Sequence, residues 1–197
     1  MLIKVLSEEA VIEVNNRKYH HHKKGGGLVP VSANIAESIF IRLITPLSGE
    51  VKVLSKKPVI EIDGVKYHRH PNGGGLVAMT TQVERSVLVG LNVLISGNVM
   101  ITGHVRIEDY VQISGDNIQI SDHAHIYGHA RIIGDNIHIS DRVEIRDYAW
   151  ILSDVKLAKN VLVQNDAQLD KVDATDEVWI TGQQILSNCT LRGDHVV

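Results

Sequence analysis

From residue 77 to residue 169 an aliphatic side chain returns at every sixth position: Val77, Val83, Val89, Ile95, Ile101, Ile107 and Ile113. After one step of seven come Ile120, Ile126 and Ile132, and after a second come Ile139, Ile145, Ile151, Leu157, Val163 and Leu169. A second small or aliphatic residue sits two places before most of these, as at Val87, Val93, Val99, Ala124, Ala130 and Ala149. Two inward side chains flanking one outward residue define a very short strand. The Gly or Asp that follows (Gly103, Gly115, Asp122, Gly128, Gly134, Asp141) suits a bend before the next strand. A period of six does not match a 3.6-residue helical face. It is also shorter than the roughly 8–12-residue spacing of strands in a sandwich. The pattern predicts an all-β solenoid in which each coil covers the one before.

The repeat resembles the hexapeptide-repeat, left-handed β-helix superfamily over at least residues 76–169. That resemblance implies a left-handed parallel β-helix, a triangular prism with about eighteen residues per coil. The strings ISGDNIQIS (113–121) and IIGDNIHIS (132–140) recur nineteen residues apart, so both seven-residue steps are expected at one corner of successive coils.

Residues 5–29, VLSEEAVIEVNNRKYHHHKKGGGLV, align without gaps to residues 53–77, VLSKKPVIEIDGVKYHRHPNGGGLV. Val29, Ile35 and Ile41 mirror Val77, Val83 and Val89 in the same register. The chain is therefore expected to be one β-helix domain over 1–197, with hexad strands from near Ile3. Two hairpin insertions, 10–27 and 58–75, would project as glycine-rich arms with turns at Asn15-Asn16 and Asp63-Gly64. Residues 170–197 keep Val178/Ile180 and Cys189/Leu191 pairs at slipped spacing and are expected to form irregular final coils or a cap.

The arms carry the first candidate chemistry. Tyr19, His20, His22, Lys23, Lys24, Gly25, Gly26 and Gly27 could hold an anion through converging amides and flanking cations. Tyr67, His68, His70, Gly73, Gly74 and Gly75 would form the second such site. Three glycines equally suit a hairpin returning to a crowded wall, and Lys23-Lys24 is replaced by Pro71-Asn72 in the second copy. His20 with His22, and His68 with His70, alternate along a strand and could contribute to a metal site, although no carboxylate or cysteine stands at ligand spacing. At three units per coil, His104, His123 and Arg142 share one corner. Tyr110, His129, Tyr148 and Asp166 share the next. His104, His123 or His129 could act as a general base; they could equally be stacked polar ladders.

Composition narrows the classes. The formal charge of −3 offers no nucleic-acid footprint, and no apolar run approaches the length of a membrane span. The start lacks the features of a secretion signal, and the expected location is cytoplasmic. With one Phe and 4% aromatics, Val and Ile must fill a narrow interior. Outward positions Leu88, Leu94, Met100, Trp150 and Leu162 are apolar for a wetted face, and the resemblance implies a homotrimer. Three functions follow as expectations. The first is a non-enzymatic oligomeric binding protein whose arms sequester a nucleotide or phosphosugar, without a cofactor. The second, implied by the resemblance, is an acyltransferase using acyl-CoA, although its usual C-terminal helical segment is missing. The third is a structural component of a virion or surface.

Overall fold

A computed structural model of the chain describes residues 3–5, 11–14, 16–22, 24, 26–33, 35–36, 41, 51–53 and 59–197. Among these every regular element is a strand. The chain divides into two compact units, one of residues 1–79 with 89–92, the other of residues 80–88 with 93–197.

The second unit is a parallel β-solenoid within a fold of about 6 turns. Its short strands line up in three ladders. In the first, Ile95 lies level with Ile113, then Ile132, Ile151, Leu169 and Leu186. In the second, Val83 is followed by Ile101, Ile120, Ile139, Leu157 and Ala174. In the third, Ile107 is followed by Ile126, Ile145, Val163 and Ile180. These side chains and the small residues two places before them are at most 1% exposed from Val93 to Ile180. Burial of that column is the main apolar driving force of the unit. The first seven-residue step is a β-bulge: Asn98 pairs with Asp116 and Val99 with Ile118, so Asn117 is the extra residue, and the second step pairs with the first without a further shift. Residues 170–197, expected to be irregular, continue the parallel ladders, with Val172 opposite Cys189 and Val178 opposite His195. The coil there has shortened to seventeen residues, Val163 to Ile180, and this is why the spacing slips.

The first unit is antiparallel. Val11–Val14 pairs with Arg17–His21, and Val59–Ile62 with Val65–Arg69. The second hairpin turns through Asp63 and Gly64, both at positive φ, and the first through Asn16 at φ 60°; Asn15 lies outside the described residues. The strands that lead into the hairpins are exchanged. Ile3–Val5 pairs with the second copy's Val59–Ile62, and Val51–Val53 pairs with the first copy's Val11–Val14, in equivalent registers. The expected parallel hexad coils starting near Ile3 are therefore not what these strands form. Alternating apolar residues bury one face whichever direction the neighbouring strand runs, so the pattern does not distinguish the two arrangements.

Candidate functional site

The glycine loops of the two copies close in the same way. The His22 amide donates to Gly27 O (2.8 Å) and the Gly26 amide to His22 O (3.1 Å); His70 with Gly75 and Gly74 with His70 repeat these distances. The Gly27 amide donates to Ile41 O (3.0 Å) and the Gly75 amide to Val89 O (2.9 Å). Four of the amides expected to converge on an anion are thus donated to the chain itself. Gly75 is required by close approach, since a Cβ there would lie 2.5 Å from Gly90 O. Lys23 and Gly25 lie outside the described residues.

The histidine pairs do not share a face as expected. The strands end at His21 and Arg69, and His22 and His70 turn inward, both buried. Each ring Nδ1 takes a bond from the amide two residues on, Lys24 at 3.2 Å and Asn72 at 3.3 Å. His20 and His68 are half-buried. The inward partners of Tyr19 and Tyr67 are instead His21 and Arg69, two residues that the spacing of the histidine pairs does not single out. His21 Nδ1 donates to Gly26 O at 2.6 Å, and Arg69 Nη1 donates to the equivalent Gly74 O at 2.7 Å and to Leu91 O at 3.0 Å. Burial, reinforced by the charge of Arg69, lowers the His21 pKa to about 3. Burial alone brings Arg69 down to about 10. Among the described residues no three His, Cys, Asp or Glu are gathered to hold a metal ion.

In the solenoid the corner residues join one coil to the next. His104 stacks on His123 (ring centroids 5.5 Å), and His129 lies between Tyr110 (5.0 Å) and Tyr148 (4.9 Å). Carboxylates at positive-φ corners accept amides from the adjoining coil: Asp109 from Gly128, Asp122 from Asp141, Asp141 from Lys159, and Asp147 from Asn165. Hydrogen bonds from the Ser121 hydroxyl and the Asp141 amide hold the Asp122 carboxyl below the usual range. The Asp141→Ala variant removes one such acceptor and puts alanine at φ 60°. It is expected to lose about 1–3 kcal/mol in urea unfolding, and Asp141→Asn, which tolerates that φ, clearly less. Equal stability of the alanine variant and the parent would show that the bond carries no weight. Asp122, His123, Asp141, Arg142, Lys159 and Asn160 line an open groove of about 380 Å³, in which Lys159 is paired with Asp176.

One cluster had no signal in the period-six count. His125 Nε2 meets Glu108 Oε2 at 2.8 Å, and Arg106 binds the same carboxylate. Burial raises the Glu108 pKa, but these two partners outweigh it and the group stays below its ordinary value. Tyr127 Oη donates to Glu144 at 2.6 Å and accepts from Arg146 at 3.1 Å; Arg146 also binds Gln164, which reaches Thr181 at 3.0 Å. Burial and the Glu144 carboxylate push the Tyr127 phenol up. The cluster spans several coils and presents fixed, mutually neutralised charges on a half-buried face. Such pairs add rigidity more than reactivity.

No family model matches the chain, and no curated protein sequence matches it.

Proposed function

We propose that the chain is a non-enzymatic structural scaffold that assembles as a homo-oligomer, with its solenoid unit as a rigid column. The observation that carries this reading is the commitment of the reactive side chains to neighbouring coils. His104 and His123 stack on each other, His129 is sandwiched between tyrosines, and the corner carboxylates hold amides. Stacking fixes the faces of these rings against the adjoining coils, the arrangement expected of side chains that hold a column together. The three ladders support the three-sided helix that the resemblance implies, and its left hand is proposed from the resemblance alone. Exposed Met100 and Trp150 on outward positions favour self-association, with a trimer as its stoichiometry.

A thermal-shift panel tests the reading. Nucleotides, sugar phosphates and coenzyme A at about a hundredfold over a micromolar Kd would stabilise a binder by about 2.7 kcal/mol. The expected result is no movement of the transition with any of them, and a multimeric mass by light scattering. A saturable rise with coenzyme A would replace the scaffold by a transferase, and one with nucleotides by a binding protein. A monomeric mass at micromolar concentration would remove the assembly.

A further inference from the structure

At one corner of the solenoid unit, between the second and third ladders, three successive coils present the same pair of positions: Asp122 with His123, Asp141 with Arg142, and Lys159 with Asn160. The first residue of each pair holds a positive φ, at 65°, 60° and 64°. The amide of the second donates to the next coil, from His123 to Asp141 O, Arg142 to Lys159 O and Asn160 to Asp176 O, at 2.9, 2.9 and 3.1 Å. The backbone here is fixed by the stack itself, which lowers the ordering cost of binding. The groove that these residues line, about 380 Å³, falls within the roughly 300–1,000 Å³ range of small-molecule sites. No aliphatic side chain is in its wall, and its one ring, His123, has a face covered by His104. Its polar atoms are only partly used. Asp122 and Asp141 each take their hydroxyl and amide bonds at Oδ2, and among the described residues nothing is donated to either Oδ1. The Arg142 side chain is exposed, and among the described residues it is held by no hydrogen bond or ion pair.

We propose that this corner groove is a non-catalytic binding site for a neutral oligosaccharide lying along the column, held by Arg142 and by Oδ1 of Asp122 and Asp141. Charge selects the class. The Lys159–Asp176 pair cancels itself, so two carboxylates against Arg142 leave −1, and a protonated His123 brings the sum to 0. A phosphate dianion would face the two carboxylates, and a divalent cation would face the guanidinium. A sugar hydroxyl both donates and accepts. One hydroxyl can therefore give its proton to a carboxylate oxygen while its neighbour accepts from the guanidinium fork, and bonds to charged partners are the stronger kind. The coils repeat at about 4.8 Å, so successive rings of a sugar chain meet successive residue pairs. Water competes for every bond in an open groove, which places the affinity in the millimolar range.

The test records amide correlation spectra of the full chain with maltohexaose, cellohexaose, xylohexaose and mannohexaose, each added alone at millimolar concentration. At least one of them is expected to shift the amides of Asp122, His123, Asp141, Arg142, Lys159 and Asn160 saturably. Arg142→Ala breaks no contact within the fold, so the variant should keep the parent's unfolding temperature. It should bind that sugar at least about tenfold more weakly, the worth of a hydrogen bond to a charged group. Sodium phosphate, sodium glutamate and calcium chloride are expected to leave these amides where they are. An unmoved corner with all four sugars would overturn the site. So would shifts confined to other parts of the chain, undiminished binding by Arg142→Ala, or a saturable response to phosphate, glutamate or calcium in place of the sugars. A scaffold with such a groove and one without it assemble alike, so these results are separate from the mass and thermal-shift measurements above.

Discussion

Replacing Gly115 with alanine is expected to cost the solenoid more than the loss of any one corner hydrogen bond, at least about 4–5 kcal/mol, the range reserved for disrupted cores and strained backbone. Gly97, Gly115 and Gly134 lie one above another on successive coils. A Cβ on Gly115 would stand 1.7 Å from Gly134 O, and Gly115 itself is at φ 147°. Relieving that overlap needs a movement of roughly 1 Å or more in a stack whose strands are held about 4.8 Å apart by their hydrogen bonds. Close packing leaves no slack for it. Gly182→Ala separates the two contributions, because Gly182 has φ 77° but nothing within 4 Å of an added Cβ. That control should lose only the left-handed penalty, about 1–2 kcal/mol. Urea unfolding followed by circular dichroism measures both. Similar losses for the two variants would mean that the glycine column yields, and that coil spacing is softer than the geometry implies.

The second large effect is acid loss of stability in the antiparallel unit. The His21 pKa is lowered from 6.5 to about 3 in the folded chain. Above pH 6.5 the ring is neutral in both states and pH has no influence through it. Below that, the unfolded chain takes the proton first, so stability falls as pH drops through the window from 6.5 to about 3. At about 1.4 kcal/mol per pH unit, the full loss is about 4–5 kcal/mol, a large part of a typical domain's stability. Hydrogen exchange of peptides covering residues 11–22 and 59–79, in gluconate buffer, follows this unit without the solenoid. His21→Gln retains a donor for the Gly26 carbonyl and should flatten the pH dependence over that window. Parallel wild-type and variant curves would assign the acid loss to other groups.

How much of this could be read from residues alone depended on whether neighbours in space were set by the local pattern. The solenoid core was legible because each inward aliphatic repeats at a constant step. Even the bulge at Asn117 showed as a step of seven. The final coils looked irregular only because a seventeen-residue coil breaks a count tuned to eighteen and nineteen. The exchange of Ile3–Val5 and Val51–Val53 left no mark, because alternation fixes which face is buried and not which strand lies beside it. The histidine pairs misled for a related reason. The spacing of His20 and His22 masks the simpler count from Tyr19, which places His21, and from Tyr67, which places Arg69, on the buried face. Contacts across coils, such as Glu108 with His125, depend on side-chain length and rotamer, which a period does not encode.

The exchanged leading strands also set the order in which the chain can mature on the ribosome. The hairpin of the first copy is complete once residue 21 has emerged, yet the strand that covers its edge, Val51–Val53, is made about thirty residues later. The strand Ile3–Val5 must wait for Val59–Ile62, made more than fifty residues later. The first copy's sheet can therefore close once residue 53 is made, about twenty-five residues before Leu76–Ala78 completes the second copy's strands, so this region becomes protease-resistant in two steps, the first copy's half leading.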